Sequence, residues 1–312
     1  MNIRVSIIMS VYNGETYLNE AINSILNQTY TDFEFIIIND GSTDKSWSII
    51  EENSKNDARI VPINQENMGL TRSLNKAVSL ARGQYIARMD DSDISMPNRI
   101  KNQVEFLNFN KSYDLVGTHH LIINEKSEVI NEANTKYSHE AIMSLLQRRN
   151  QFAHGSLLFT KGIFNQVGGY RNFFIYTQDY DFLLRIINLC KVKNLNYVGY
   201  KWRDEGKRKN FSREVKRTYY RTLSRLLYYE RTVFGNEITL QYINKPKGVT
   251  RVVKHLSSYL QGLKKSAKKN VSPIGYRLNF FVTAFLFISG TETLVFTIKY
   301  RWVYLMNKAK RL

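Results

Sequence analysis

Four short runs of apolar, largely β-branched residues, at 5–11, 33–39, 59–63 and 84–89, occupy the start of this chain and leave it few ways to fold. Two of the gaps between them carry apolar residues at helical spacing: Tyr17, Leu18, Ala21, Ile22, Ile25 and Leu26 in one, Leu70, Leu74, Ala77, Val78 and Ala81 in the other. Asn13 precedes the first of these as a candidate N-cap. Runs that are apolar throughout suit strands buried on both faces. Strands alternating with helices predict an α/β domain with a mixed, mostly parallel sheet flanked by helices. In such sheets ligands bind beyond the carboxyl ends of the strands.

Those ends carry unusual residues. The first strand runs out in Ser10-Val-Tyr-Asn-Gly14, the second in Asn39-Asp-Gly-Ser-Thr-Asp44 and the fourth in Asp90-Asp-Ser-Asp93. Polar, Gly-containing and acidic tips should therefore converge on one rim. Further along, the spacing predicts a helix from Pro97 to about Asn108, a strand over 115–123 and a helix over 139–149. An apolar run at 156–159 follows, then a helix opening at Gln178 with Asp179 and Asp181 in its first turn.

Charge divides the chain near residue 200. Of 45 Lys and Arg, 25 lie in residues 201–312 together with only 6 of the 27 Asp and Glu, so a chain of net charge +18 has an almost neutral front. This predicts a catalytic or binding body over 1–200, joined to a basic, aromatic-rich, mainly helical region over 201–312 that meets a polyanion, either nucleic acid or an anionic membrane surface. Cys190 is the single cysteine, so no intrachain disulfide can form, which suits a reducing compartment. The first ten residues read as a strand rather than a signal peptide, and the body is expected in the cytoplasm. The chain has no Gly-x-x-x-x-Gly-Lys-Ser/Thr loop, Gly-x-Gly-x-x-Gly turn or Gly-x-Ser-x-Gly elbow, which argues against P-loop kinases, dinucleotide oxidoreductases and serine hydrolases. His139-Glu140 lacks the second histidine of a zinc-protease helix, and His119-His120 has no acidic partner in an obvious register.

So basic a chain must account for three carboxylates within four positions, Asp90, Asp91 and Asp93. A calcium loop does not fit. Counted from Asp91, Met96 falls where the turn glycine belongs and Asn102 where a bidentate glutamate belongs. Adjacent like charges at the mouth of a buried sheet repel one another, which predicts a bound cation. Mg²⁺ or Mn²⁺ suits carboxylate oxygens and keeps positions open for substrate phosphates, so the knot reads as a metal clamp for a diphosphate.

Taken in order, Ser10-Val-Tyr-Asn, Asn39-Asp-Gly-Ser-Thr-Asp, Asn67-Met-Gly-Leu-Thr-Arg-Ser-Leu-Asn, Met89-Asp-Asp-Ser-Asp-Ile-Ser-Met-Pro-Asn-Arg, Gly168-Gly-Tyr and Gln178-Asp-Tyr-Asp-Phe resemble the motifs of family 2 glycosyltransferases. The likeness is to enzymes of the GT-A (Rossmann-like) fold and bacterial surface-polysaccharide type, and it covers about residues 3–190. It implies a nucleotide-diphosphate sugar as donor, most often UDP-linked. Ser10, Tyr12, Asn13, Asp40, Asn67, Gly69, Arg72 and Asp91 would then bind nucleotide and donor. Tyr12 would lie against the base, Asp40 would accept a hydrogen bond from it, and Arg72 is a candidate for the phosphates. Asp91 and Asp93 would form the Asp-x-Asp pair that holds metal and donor, and Asp179 would be the general base. His154 and Gln178 are possible acceptor or donor contacts. Relatives often read Met-Asp-Ala-Asp-Asp-Ile-Ser, with a carboxylate where this chain has Ser92 and a small residue where it has Asp91, which leaves the choice among Asp90, Asp91 and Asp93 open. Many also carry glutamate where this chain has Gln178.

The chemistry asks for these residue types. Glycosyl transfer needs a base beside the acceptor hydroxyl and a cation beside the leaving diphosphate. Asp179 and the acidic knot supply the two ends. With no separate enzyme nucleophile, direct displacement with inversion is the simplest route. Asp181 reads as a structural acid of the helix turn.

In the basic end, 278–298 is rich in Phe, Leu, Val and Ile but contains Ser289-Gly-Thr-Glu-Thr293. A spanning helix needs about 20 mainly apolar residues, so this predicts a segment lying in the interface plane, its basic neighbours on anionic lipid heads. The expectation is a transferase peripheral to the inner face of the cell membrane, acting on a glycan or lipid-linked acceptor. The alternatives are a nucleic-acid-binding protein with a basic, tyrosine-rich tail, or a catalytically inactive GT-A-like scaffold. Nucleic acid is not the expected partner, because it would bring a polyanion up to the acidic rim.

Overall fold

The computed structural model describes residues 4–206, 211–237 and 240. The elements run β1 (Val5–Val11), α1 (Leu18–Leu26), β2 (Phe33–Asp40), α2 (Ser46–Asn56), β3 (Ile60–Gln65), α3 (Leu70–Leu80), β4 (Tyr85–Arg88) and β5 (Ile94–Ser95). They continue as α4 (Arg99–Phe109), β6 (Tyr113–Ile123), β7 (Val129–Glu132), α5 (His139–Leu146), β8 (Leu158–Thr160), α6 (Lys161–Gln166), α7 (Gln178–Ile186) and β9 (Lys191–Arg203). A single 3₁₀ turn, His154–Ser156, precedes β8.

Every residue of β1 and β2 is buried, as runs apolar on both faces require. Helix α1 turns Leu18, Ala21, Ile22 and Ile25 inward, and α3 does the same with Leu74, Ala77 and Val78. The described strands form one sheet in the order β3-β2-β1-β4-β8-β6-β9-β5, with β7 added beside β6. β1 runs parallel to β2 and β4, β2 to β3, and β6 to β9. β8 is antiparallel to both β4 and β6, and β5 to β9. The sheet is thus mixed, and its first four strands are parallel. Parallelism puts the carboxyl ends of β1, β2 and β4 on one edge, where the polar and acidic tips lie.

Two local expectations change. Asn13 does not cap α1, whose N-cap is Tyr17. Asn13 instead takes a left-handed backbone (φ 53°), and its side-chain oxygen accepts from Thr43 N at 2.8 Å, tying the loop after β1 to the loop after β2. His119 does have an acidic partner: β7 folds back along β6 and brings Glu132 Oε1 to 2.6 Å from Nε2, with Thr135 Oγ1 3.2 Å from Nδ1. A hairpin register of this kind cannot be read from spacing alone.

Contacts divide the chain into two units, Met1–Arg208 and Lys209–Leu312. β9 belongs to the first and runs past residue 200. In the second unit α8 (Phe211–Phe234) is 24 residues long, with Leu223, Leu226 and Leu227 buried. No helix among the described residues is long and apolar enough to cross a membrane. The stretch at 278–298 and most of the basic end lie outside the described residues.

Candidate active site

The loops after β1 and β2 are zipped together at the rim. Asn13 N donates to Ser42 Oγ, Gly14 N to Ser46 Oγ and Glu15 N to Asp44 Oδ2, each at 3.0 Å, and Glu15 Oε2 accepts from Lys45 N at 2.9 Å. These contacts hold Tyr12 out at the edge, 54% exposed, an accessible flat ring. Ser10 is buried one turn of pleat below it. Asp40 is buried too, and its carboxylate organises the turn into α3: Oδ1 accepts from Gln65 Nε2 at 2.8 Å and Met68 N at 2.9 Å, and Oδ2 accepts from Gly69 N at 2.9 Å. A carboxylate offers about four lone-pair positions, so one acceptor position remains for a ligand. Asn67 and Arg72 stand exposed beside that turn; the Arg72 main-chain N–H donates to the Gly69 carbonyl at 3.1 Å, and its guanidinium makes no hydrogen bond or ion pair among the described residues.

The acidic loop follows β4. Arg88 and Arg99, both without exposed surface, lie beneath it. Arg88 pairs with Asp90 and donates to the Met89 carbonyl, and Arg99 Nη1 donates to the carbonyls of Arg88 at 3.1 Å and Gly155 at 2.9 Å. Burial opposes the Arg88 charge, yet Asp90 beside it keeps its pKa above the usual value. Asp91 abuts the turn at Gly14, where a Cβ would come within 2.6 Å of Asp91 Oδ2, so only glycine lets the carboxylate this close. Burial, then the neighbouring Asp90 charge, push Asp91 up to about 7. Asp93 is 1% exposed; its Oδ1 accepts from Arg203 N at 2.8 Å, and its Oδ2 has no hydrogen-bond partner. The Tyr200 hydroxyl is near enough to lower the Asp93 pKa but forms no hydrogen bond of normal geometry with it, and burial together with Asp90 keeps that carboxyl well above the ordinary range.

The acceptor-side groups come from α7 and the segment before β8. Thr177, the N-cap of α7, takes a left-handed conformation (φ 58°) that sets the direction of the following turn. Gln178 is buried and Asp179 partly exposed. Asn150 Nδ2 donates to Asp179 Oδ2 at 2.8 Å, and Asn150 Oδ1 accepts from Phe152 N at 3.0 Å, which fixes the amide's orientation. His154 Nε2 lies 2.9 Å from the Tyr170 hydroxyl. Burial and the Arg88 charge push His154 down to about 4, while the carboxylates of Asp179 and Asp90 act against them. Asp181 is fully structural: it meets Arg185 at 2.9 Å and Arg171 at 3.4 Å inside the fold.

The structure therefore brings Asp90, Asp91, Asp93, His154 and Asp179 to one rim, with Tyr12 after β1, Asp40 at the end of β2 and Asn67 in the turn before α3 alongside. Among the described residues, no three His, Cys, Asp or Glu side chains converge as a complete metal site. Sequence reasoning passed over Asn150, Tyr200 and Arg203. Arg99 closes the quoted Met-Pro-Asn-Arg motif, and its burial makes that motif's arginine a structural support.

A mixed, Rossmann-like sheet flanked by helices, with an acidic loop after β4 at the carboxyl edge of its parallel strands, is the architecture of the GT-A class. The sequence matches glycosyl transferase family 2 over residues 6–168, and the chain belongs to that family. It is 38% identical over 188 residues to the O-antigen biosynthesis glycosyltransferase WbnJ of Escherichia coli, covering 60% of this chain and 72% of that one. It is 37% identical over 187 residues to an uncharacterized glycosyltransferase of Methanocaldococcus jannaschii, covering 59% of this chain and 64% of that relative. The fold is similar to that of S. aureus TarS 1-349 in complex with UDP-GlcNAc, with a TM-score of 0.60 at 13% identity over 93% of this chain and 92% of that one. It is also similar to the mannosyltransferase PcManGT from Pyrobaculum calidifontis in complex with GDP-Man and Mn²⁺, with a TM-score of 0.55 at 13% identity over 91% of this chain and 84% of that one.

Proposed function

We propose that the chain is an inverting glycosyltransferase that moves a sugar from a nucleotide-diphosphate sugar, UDP-linked, to a hydroxyl of a glycan or lipid-linked acceptor. One observation carries the reading: the short stretch 150–155 meets both carboxylates, Asn150 Nδ2 donating to Asp179 Oδ2 at 2.8 Å and Gly155 packing so close to Asp90 that a Cβ would lie 2.8 Å from its Oδ2, so the acidic loop and the candidate base flank one segment. Family membership and the relatives' description as glycosyltransferases support the reaction class.

Tyr12 stacks on the base, Asp40 and the Asn67–Gly69 turn hold the nucleoside, and Arg72 meets the phosphates. Asp179 takes the proton of the acceptor hydroxyl as its oxygen attacks the anomeric carbon on the face opposite the diphosphate. Asn150 orients that carboxylate by occupying Oδ2, which leaves Oδ1 for the acceptor. His154, uncharged at neutral pH, offers the acceptor a neutral hydrogen-bonding edge. The donor set fits a divalent cation completed by substrate: the orphan Oδ2 of Asp93 and the raised Asp91 are carboxylates wanting a positive partner, and Mg²⁺ needs only one or two such groups plus phosphates. Asp91 and Asp93 would hold Mn²⁺ or Mg²⁺, which when bound neutralises charge on the leaving diphosphate. The basic end would seat the enzyme on the inner face of the cell membrane, beside a lipid-linked acceptor.

The test is the thermal midpoint of the protein with UDP, GDP, CDP and dTDP, each with Mn²⁺ and again with EDTA. A ligand at a hundred times its dissociation constant stabilises by ~2.7 kcal/mol, which is readily seen. Asp93→Ala should abolish the metal-dependent rise, whereas Asp179→Asn should keep it and lose transfer by about 10²–10⁴-fold. Loss of donor binding in both variants, or in neither, contradicts this division of roles.

A further inference from the structure

Arg203 ends β9, 110 residues from the acidic loop in sequence, yet it holds two consecutive residues of that loop. Its main-chain N–H donates to Asp93 Oδ1 at 2.8 Å, and its Nε donates to the Ser92 carbonyl at 2.7 Å. The rest of the guanidinium is anchored elsewhere: Nη1 donates to the Asn124 carbonyl at 2.9 Å and Ser127 Oγ at 3.0 Å, Nη2 pairs with Glu20, and the Tyr17 ring lies 4.2 Å away. The side chain has no exposed surface.

We propose that Arg203 is a positioning residue for the acidic loop and so for the donor's diphosphate; the inference rests on the donor-site reading above. Its N–H satisfies one oxygen of Asp93 and leaves the other without a partner. Its Nε fixes the peptide just before Asp93, so the carboxylate cannot swing about its own backbone to satisfy both oxygens internally. The loop is held in the one arrangement that keeps an unsatisfied carboxylate oxygen beside Asp91, and reacting groups must be held to within about 0.5 Å to be productive. Lysine cannot replace the fork. A single ammonium cannot reach Ser92, Asn124 and Glu20 from one place.

The experiment is titration calorimetry of UDP in the presence of Mn²⁺ on the full chain, with the unliganded unfolding midpoint measured alongside, for the wild type, Arg203→Lys and Glu20→Gln. Glu20 is half-exposed on α1 and touches neither loop nor ligand, so its variant loosens the guanidinium without threatening the fold. Arg203→Lys should weaken UDP binding at least tenfold and Glu20→Gln about threefold, in protein that unfolds at a single transition. A merely structural role would lower the midpoint and leave the dissociation constant of the folded protein unchanged. Wild-type affinity in both variants would overturn the proposal. A wild type that binds no nucleoside diphosphate at all would instead remove the donor-site reading.

Discussion

Acidification should cost the protein stability through His154. The ring packs edge-on to Tyr170, and burial with the Arg88 charge holds it down to about 4 from an ordinary 6.5. A histidine whose folded pKa is depressed takes up its proton more readily in the unfolded chain. Its contribution is therefore intact above pH 6.5 and is lost as pH falls from 6.5 towards 4. At pH 5 the linkage relation gives at most about 2 kcal/mol from this group, an upper figure because the ring keeps some contact with solvent. Other groups contribute too, among them Asp93, whose raised carboxyl acts with the same sign as Asp91 below. His120, pushed down to about 4 by burial and His119, adds to the loss. Asp91, raised to about 7, works with the opposite sign, because a carboxyl that prefers its proton in the fold gains stability as pH drops through 7. The diagnostic quantity is therefore a difference between proteins. Urea unfolding at pH 7.5, 6 and 5 should show the wild type losing about 2 kcal/mol more than His154→Gln, since glutamine can keep the bond to Tyr170 but has no proton to gain. Equal pH dependence in the two proteins would refute the assignment of a buried, uncharged imidazole.

Two further outcomes test the packing under the site. A Cβ at Gly155 would lie 1.8 Å from Tyr200 Oη and 2.8 Å from Asp90 Oδ2, so Gly155→Ala should lower unfolding free energy by about 1–3 kcal/mol and weaken donor binding with it. Adding Tyr200→Phe should recover only part of the loss in a thermal melt, because the ring carbon Cζ would still lie 2.5 Å away; full recovery would show that the hydroxyl alone sets the contact. Asp181→Ala removes the carboxylate that Arg185 and Arg171 share in the interior and should cost about 3–5 kcal/mol in chemical denaturation. A loss below about 1 kcal/mol would place Asp181 among ordinary surface pairs.

The sheet was legible because buried parallel strands need unbroken apolar runs, and β1 and β2 are such runs. The rim was legible for a related reason, since Tyr12, Asp40 and the acidic loop all follow strands whose ends are visible in sequence. What stayed hidden depends on register between distant segments. Glu132 reaches His119 only because β7 turns back along β6 with an irregular register. Arg203 lies in a stretch whose composition reads as the start of the basic tail, although β9 carries it into the sheet beside β6. Asn150 sits in a loop whose shape no periodicity describes, 29 residues before the aspartate it orients. Asp40, by contrast, was found for its place at a strand end, and its three internal hydrogen bonds add a second task that local sequence does not reveal.

The acidic loop makes sense only as a functional expense. Burial raises Asp91 and holds Asp93 above the ordinary range, so at neutral pH the fold is less stable with these two ionised than with neutral residues of the same shape. The cations available nearby relieve this only in part, the Arg88 charge drawing Asp91 down against burial and Asp90. Arg88 is spent on Asp90, and Arg203 turns its guanidinium to carbonyls and to Glu20 while giving Asp93 only a main-chain N–H. Among the described residues no Lys or Arg side chain stands against Asp93 Oδ2. Perturbed, under-compensated carboxylates gathered at the mouth of a sheet point to an external positive partner. The same arrangement explains why the loop is anchored so heavily through its backbone: a carboxylate left short of partners will move to find one unless the peptide beneath it is held.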